Sequence, residues 1–310
     1  MGSPEYDGGM YQVRRESLST FVNIRHWNYH VRQWGSPRHN EPPLLLMHGW
    51  MDVGASFQFV VDAMAEDRWI LAPDWRGYGL TTGPATDNYW FPEYLADLDA
   101  LIDHFSPDRP IDLVGHSMGG NVVMHYAGVR SQRIRRLVNL EGFGMAKTRP
   151  ENAPKRLAQW LDELRAQRSG ALDLASYADR QGVVQRLRKN NPRLSADKAE
   201  WLSYHWGFEA ADGRWHIRGD SAHKVVNAQL SRLEEVLALY QGIQVPTLFV
   251  EAQDGSLDQW WNGKFTIEEF HQRLNHVPEV KRIKIADTGH MLHHDQPKAV
   301  AEAIEAHLKD

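Results

Sequence analysis

The amino-acid sequence predicts an α/β protein with a mostly parallel sheet of eight strands, helices on both faces and an inserted helical segment. Three observations predict this fold class: short apolar runs recur along the chain, helical patterns separate most of them, and one long interval has helical periodicity alone. Of the 310 residues, 42% are hydrophobic and 24% are charged. A chain of this length and composition can bury a substantial core.

The strand predictions come from two kinds of pattern. Residues 20–25 and 29–33 alternate in polarity like the strands of a hairpin, whereas six later segments are short apolar runs. These runs cover residues 44–47, 70–72, 111–114, 137–140, 247–250 and 280–285. Helical patterns cover residues 57–65, 91–104, 121–129 and 298–308. Because strands alternate with helices, we expect a doubly wound, mainly parallel sheet.

The interval from residue 144 to residue 242 breaks this alternation. Its predicted helices cover residues 151–167, 172–190 with a break near Gly182, 196–206 and 230–240. We therefore predict a core of residues 1–143 and 243–310, with a helical cap of residues 144–242 inserted after the sixth strand. Trp160 and Trp206 of the cap are candidates for lining an apolar substrate pocket, although each could instead pack the cap against the core.

Composition excludes several classes of function. The formal net charge is −5 and no long basic run is present, which argues against binding to nucleic acid or to an anionic membrane. The absence of cysteine excludes disulfides, thiolate metal ligands and a cysteine nucleophile. Residues 1–15 lack the apolar centre of a signal peptide, and no apolar run approaches membrane-spanning length, so we expect a cytoplasmic location. The sequence does not predict the oligomeric state.

The motif Gly-His-Ser-Met-Gly occupies residues 115–119, directly after a predicted strand and before a predicted helix. A serine at the apex of a sharp strand-to-helix turn exposes its hydroxyl, and the flanking glycines avoid collisions with neighbouring backbone. This context predicts that Ser117 is a nucleophile. A phosphate-binding loop is not expected, because no lysine stands at the required spacing.

Four motifs together resemble the α/β-hydrolase superfamily over nearly the whole chain outside the cap. They are His-Gly-Trp at residues 48–50, Asp-Trp-Arg-Gly-Tyr-Gly at residues 74–79, the serine motif at residues 115–119 and Thr-Gly-His at residues 288–290. The overall pattern is also similar to the serine-hydrolase-like proteins. The resemblance implies an α/β-hydrolase fold and a catalytic triad in the chain order nucleophile, acid, histidine.

The resemblance further implies the partners of Ser117. His290 would be the general base, because a neutral serine hydroxyl needs a group that accepts its proton. The backbone N–H groups of Trp50 and Met118 would form the oxyanion hole that stabilises the tetrahedral intermediate. Met118 would also benefit from the positive end of the helix dipole.

Other histidines were considered for the site, since the chain has 16 of them. His48 and His116 adjoin the motifs and are candidates for shaping the substrate pocket, not for accepting the proton. His293 and His294 lie close to His290 in sequence, but a zinc site would need a further ligand arranged around an open position. We therefore expect neither a metal nor any other cofactor.

The acidic member of the triad departs from the common family pattern. The acid usually follows the seventh strand, but Gly255 occupies that position. Glu141, directly after the sixth strand, is the first choice, since haloalkane dehalogenases and other relatives place their acid there. Asp254 or Asp258 could serve instead after a small shift of their loop. A structural carboxylate at the cap hinge is the alternative role for Glu141.

These residues favour a serine hydrolase that cleaves a carboxylic ester of a small-molecule acyl substrate through an acyl-enzyme. A serine nucleophile argues against dehalogenase and epoxide hydrolase chemistry, which in this fold uses an aspartate. Hydrolysis of a carbon–carbon bond, a lactone, a thioester or an amide by the same triad remains an alternative. A ligand-binding protein without activity is a further alternative, because this scaffold also serves non-catalytic roles.

Overall fold

The computed structural model describes residues 9–309, apart from the side chains of residues 258 and 259. The strands in this part of the chain are β1 (Leu18–Ile24), β2 (Trp27–Trp34), β3 (Leu44–Met47), β4 (Ile70–Pro73), β5 (Ile111–His116), β6 (Ile134–Leu140), β7 (Ser176–Tyr177), β8 (Gly207–Glu209), β9 (Trp215–Ile217), β10 (Thr247–Ala252) and β11 (Val280–Ile285). The α-helices are α1 (Gln58–Ala63), α2 (Phe91–Phe105), α3 (Met118–Val129), α4 (Ala153–Arg168), α5 (Arg180–Asn190), α6 (Ala196–Trp206), α7 (Leu233–Gln241), α8 (Ser256–Trp261), α9 (Ile267–Leu274), α10 (Leu292–Asp295) and α11 (Pro297–Lys309).

The main sheet has eight strands in the order β1-β2-β4-β3-β5-β6-β10-β11. Strand β2 is antiparallel to β1 and β4, whereas the other neighbours in the sheet are parallel. The prediction of a mostly parallel eight-stranded sheet is therefore confirmed. Because the carboxyl ends of parallel strands lie at one edge, the loops that follow β3, β5, β6, β10 and β11 lie along the same edge of the sheet.

Helices cover both faces of this sheet, as the buried runs predict. All residues of β3 are buried, and its alternate side chains point to opposite faces. Leu44 packs in a buried cluster that contains Val60 of α1, while Leu45 packs in another that contains Leu98 of α2. Burial on both faces explains why the central strands are continuously apolar.

The segment between β6 and β10 contains α4 to α7 and a small antiparallel sheet in the order β7-β9-β8. This sheet differs from the purely helical cap expected from the sequence. Asp212 and Gly213 lie in the turn between β8 and β9, and Gly213 has a φ of +75°, which glycine adopts at little cost. Strands of two or three residues are too short to show a recognisable period, and so the pattern did not reveal them.

Helix α5 also begins later than predicted. The expected helix over residues 172–190 covers only Arg180–Asn190, and Gly182 lies in its first turn instead of breaking it. The Asp179 carboxylate caps this helix, since Oδ1 accepts a hydrogen bond of 3.0 Å from the Gly182 N–H. Helix α5 therefore begins before Gly182, and this glycine does not interrupt it.

Two further helices, α8 and α9, lie between β10 and β11 and were not predicted. Helix α8 has six residues and α9 has eight, lengths at which helical periodicity is hard to distinguish from a loop. No helix in the described part of the chain combines the length and apolar character needed to span a membrane.

Candidate active site

Ser117 lies in a strained turn between β5 and α3. Its φ is +52° and its ψ is −114°, a backbone conformation that side-chain-bearing residues rarely adopt. The turn needs both flanking glycines: a Cβ on Gly115 would lie 2.4 Å from the carbonyl oxygen of Gly119, and one on Gly119 would lie 2.2 Å from that of Met47. The Ser117 N–H donates a hydrogen bond of 2.9 Å to the carbonyl oxygen of Leu140, which fixes the turn against β6.

His290 lies in the loop after β11, and its Nδ1 is 3.4 Å from Oε2 of Glu141. This long hydrogen bond can tighten when a substrate develops charge in the site. The Glu141 side chain is 1% exposed. It is held by two other donors, the Ala252 N–H at 2.6 Å to Oε1 and the Ser256 hydroxyl at 2.8 Å to Oε2. The carboxylate at the end of β6 is thus fixed in position and faces the imidazole.

The environment of His290 favours the neutral imidazole. Burial lowers its pKa below the ordinary value of 6.5, while the hydrogen bond and the charge of Glu141 act in the opposite direction. The edge of the Trp260 indole contacts the ring, with ring centroids 4.1 Å apart. A neutral imidazole whose Nδ1–H donates to a carboxylate leaves Nε2 free to accept a proton.

The other two candidates for the triad acid are Asp254 and Asp258. Asp254 is exposed and its carboxylate forms an ion pair with Arg193. The side chain of Asp258 lies outside the described residues. Of the described carboxylates considered for the triad, Glu141 is therefore the one that contacts His290.

A cavity of about 550 Å³ lies over this edge of the sheet. Six of the candidate site residues line it, namely Trp50, His116, Ser117, Trp206, Asp254 and His290. The cavity is large enough for a small-molecule substrate. The serine and the histidine, 173 residues apart in sequence, both line it.

Trp206 links the cap to the loop after β3. Its Nε1–H donates a hydrogen bond of 2.8 Å to the carbonyl oxygen of Met51. Met51 has a φ of +52°, so the loop turns sharply directly after Trp50. The cap side chain therefore supports the loop that carries one of the two expected oxyanion-hole donors.

Two expected pocket residues do not line the cavity. His48 is fully buried, its Nε2 accepts a hydrogen bond of 2.9 Å from the Trp75 N–H, and its Nδ1–H donates one of 2.8 Å to the carbonyl oxygen of Gly49. Both ring nitrogens are thus used to hold the loop after β3, which corrects the expectation of a pocket role. Trp160, in α4, is also not among the residues that line the cavity.

His116 contacts the loop of His290 directly. Its Nε2–H donates a hydrogen bond of 2.8 Å to the backbone carbonyl oxygen of His290. The side chain is 1% exposed, and burial holds its pKa well below 6.5. A neutral His116 therefore connects the residue before Ser117 to the backbone of the histidine loop.

The two expected oxyanion-hole donors come from the start of α3 and from the loop after β3. Met118 is the first residue of α3, and the first N–H groups of a helix have no acceptor within the helix. Trp50, in the loop after β3, lines the cavity. Both main-chain groups therefore remain the expected donors to a carbonyl oxygen bound beside Ser117.

Sequence reasoning missed two residues that contribute to the site. Ser256 binds the carboxylate of Glu141, and Asp52, which lines the cavity, lies 3.8 Å from His293. Asp52 is close in sequence to the motif at residues 48–50, which is a signal that could have identified it. Nothing local to Ser256 indicates its contact with a residue 115 positions away.

Known proteins resemble the chain in both sequence and fold. The Serine hydrolase-like protein of Danio rerio is 24% identical over 291 residues, which cover 89% of this chain and 83% of that protein. Esterase YbfF of Escherichia coli (strain K12) is 24% identical over 90% of this chain and 97% of its own length. The solved structure of the thioesterase domain from the curacin biosynthetic pathway superposes with a TM-score of 0.81 at 26% identity, covering 94% of this chain and 99% of that domain.

A family model also covers most of the chain. The model of the alpha/beta hydrolase fold matches residues 42–297, a range that extends from the start of β3 through the histidine loop. With the parallel sheet and the turn at Ser117, this match establishes that the chain belongs to the α/β-hydrolase family.

Proposed function

We propose that the protein is a serine hydrolase that cleaves a carboxylic ester through an acyl-enzyme. Ser117 is the nucleophile, His290 the general base and Glu141 the acid that orients the histidine. The contact of 3.4 Å between Glu141 and His290, beside a cavity that Ser117 also lines, carries the proposal. The fold alone would not carry it, because this scaffold also hosts other activities.

In the first half of the proposed reaction, Ser117 Oγ attacks the ester carbonyl carbon and its proton passes to Nε2 of His290. The imidazolium donates its Nδ1–H to Glu141, whose negative charge stabilises the cation. The N–H groups of Trp50 and Met118 stabilise the negative oxygen of the tetrahedral intermediate. When the intermediate collapses, the bond to the alcohol breaks and His290 returns the proton to the leaving alkoxide oxygen.

In the second half, a water molecule attacks the acyl-enzyme carbonyl and its proton passes to His290. The second tetrahedral intermediate expels Ser117 Oγ, which recovers the proton, and the carboxylic acid leaves. Each proton transferred to the imidazole is given back, so the reaction needs only water as a co-substrate. The protein groups supply orientation, proton transfer and charge stabilisation.

Two features support Glu141 as the acid. Its oxygens accept hydrogen bonds from Ala252 and Ser256, which restrict the movement of the carboxylate. Asp254, the main alternative, is exposed and paired with Arg193. Among the described contacts, its carboxylate pairs with a guanidinium and not with the imidazole of His290.

The class of acyl bond is the finer part of the proposal. Esterase YbfF and the curacin thioesterase domain are both named for acyl hydrolysis, one of an ester and the other of a thioester. An oxygen ester is the first choice because an alkoxide is a poor leaving group and needs the proton that His290 can return, whereas a thiolate depends on that proton less.

The test measures turnover of short-chain p-nitrophenyl esters and of a matched acyl thioester by the intact chain and by Ser117→Ala. We expect ester turnover that Ser117→Ala abolishes, together with labelling of the intact chain by a fluorophosphonate. Faster turnover of the thioester, at equal acyl chain length, would overturn the choice of bond. A Ser117 that neither labels nor turns over any acyl substrate would favour the non-catalytic scaffold.

A further inference from the structure

A second group of titratable side chains lies beside the catalytic residues. Asp52, in the loop after β3, and His293 and His294, in α10, are 5%, 0% and 3% exposed. One potential ligand atom from each lies within 4.8 Å of those of the other two, and Oδ2 of Asp52 is 3.8 Å from Nε2 of His293. His290 is not a member of this group. The three residues are therefore a site distinct from the Glu141 and His290 contact.

The group contains several buried polar atoms without a hydrogen-bond partner among the described residues. They are Oδ2 of Asp52, both ring nitrogens of His293 and Nδ1 of His294. Nearly all buried polar atoms in proteins are paired, because an unpaired one has lost its bonds to water without replacement. Each of the three adjoining side chains thus has at least one unpaired atom that could bind a shared ligand.

The hydrogen bond between His294 and Ser56 leaves Nδ1 of His294 available for such a ligand. Its Nε2 is 2.5 Å from Oγ of Ser56. If Nε2 carries the proton and donates it to the serine oxygen, Nδ1 keeps its lone pair. Histidines that bind metals usually donate their other N–H to a neighbouring acceptor, which fixes the ring and the tautomer. Ser56 occupies that supporting position.

We propose that Asp52, His293 and His294 bind a divalent transition-metal ion of the Zn²⁺ type. Two imidazoles and one carboxylate are ligands that Zn²⁺, Co²⁺ and Ni²⁺ accept, whereas Mg²⁺ and Ca²⁺ prefer sets made of oxygen atoms. Three protein ligands leave a fourth position for water. The ion would bind one unpaired atom of each side chain.

The catalytic cavity gives the ion a route to this site. Asp52 and His294 both line the cavity, although little of either side chain is exposed. An ion that enters the cavity therefore reaches the carboxylate without unfolding the loop. His293 lies behind them and completes the group.

Binding is expected to inhibit turnover, an effect that rests on the proposed function. Ligand atoms around a tetrahedral Zn²⁺ lie about 3.3–3.5 Å apart at ordinary bond lengths. The separations of up to 4.8 Å must therefore shorten. Asp52 follows Trp50 closely in the chain and His293 follows His290, so the loops of the proposed oxyanion hole and general base move together. A displacement of ~1 Å in such groups can lower a catalytic rate by about 10²-fold.

The test measures metal binding separately from activity. The full chain is freed of metal with a chelator, the chelator is removed, and Co²⁺ is titrated while visible absorption is recorded. Zn²⁺ is then added to displace it. We expect one ion per chain in the wild type and in Ser117→Ala, and at least a tenfold loss of affinity in Asp52→Asn and in His293→Gln. His216→Gln, which changes a histidine of β9 outside the cavity, is the control and should bind normally.

Circular dichroism of each variant establishes that it is folded before binding is compared. The proposal is overturned if the wild type binds no ion, if both Asp52→Asn and His293→Gln bind normally, or if His290→Gln abolishes binding, since the ion would then occupy the catalytic histidine. Binding by Ser117→Ala does not require turnover. Normal binding by a chain without esterase activity would therefore contradict the proposed function and leave the metal site supported.

Discussion

His116 Nε2–H donates a hydrogen bond of 2.8 Å to the backbone carbonyl oxygen of His290. One histidine, directly before Ser117, thus holds the loop that carries another. This contact connects the turn after β5 to the loop after β11. The distance between the proposed nucleophile and base therefore depends on a side chain that reacts with neither.

Removing this hydrogen bond should lower activity without affecting substrate binding to the same extent. We expect His116→Ala to reduce kcat by about tenfold or more while KM changes little, because the His290 loop loses a buried contact and the carbonyl is left unpaired. His116→Gln, whose amide can place a donor near the same position, should recover much of kcat. Steady-state kinetics on a p-nitrophenyl ester measure both parameters. Equal losses in the two variants would contradict a positioning role.

Glu141 and Asp254 provide a paired test of the triad acid. Glu141→Gln removes the charge that stabilises the His290 cation and should reduce kcat by about 10³- to 10⁴-fold, the range known for neutralising a triad carboxylate. Asp254→Asn should have little effect, because its exposed carboxylate pairs with Arg193 and not with the imidazole. Ester turnover is measured for both variants and for wild type. Loss of activity in Asp254→Asn alone would show that the acid follows β10.

Much of the fold could be predicted because its elements are locally encoded. The run of apolar residues at 44–47 matches β3, and the apolar period over residues 196–206 matches α6, with the bounds observed. Strand β3 is buried on both faces and α6 along one, and each leaves a clear pattern in the chain. Strands β7, β8 and β9 are too short for such a pattern, and the pairing of β7 with β9 depends on contact between distant segments.

In the site too, residues with a local sequence pattern could be predicted, and residues placed by tertiary contacts were missed. Ser117 was identified because its turn needs particular neighbours in sequence, and the glycines at 115 and 119 supply them. His290 and Glu141 could be nominated by their positions after strands. The part played by Ser256 depends on how α8 packs beside β6, which no local pattern records. The meeting of Asp52 with His293 likewise depends on tertiary packing of two loops.

The pH dependence of turnover should report the titration of His290. Burial lowers the pKa of this imidazole below 6.5, and only the neutral form can accept the proton of Ser117. The low-pH decline of kcat/KM should therefore have its midpoint below pH 6.5. Measurements between pH 4 and pH 8, with stability followed in parallel, give this profile. A decline centred above pH 6.5 would contradict the assignment.

Glu141→Gln should shift the low-pH decline of kcat/KM, its acid limb, to lower pH. The carboxylate raises the pKa of His290 through its hydrogen bond and its charge, against the larger effect of burial. Its neutralisation removes this contribution, so the pKa should fall further and the acid limb should move to lower pH, at a much reduced plateau. The Asp254→Asn profile serves as the control and should coincide with wild type. An upward shift in Glu141→Gln would mean that another group stabilises the cation.

The contact between Trp206 and Met51 predicts a role for the cap in catalysis. Trp206→Phe keeps most of the buried apolar surface but removes the Nε1–H that binds the Met51 carbonyl oxygen at 2.8 Å. The loop after β3 should become less well fixed, and since Trp50 precedes Met51 in that loop, we expect kcat to fall by about three- to tenfold, consistent with one lost hydrogen bond. Trp160→Phe is the matched control, because Trp160 does not line the cavity. If the two variants have equal kinetics, Trp206 does not support the proposed oxyanion hole and contributes only to packing.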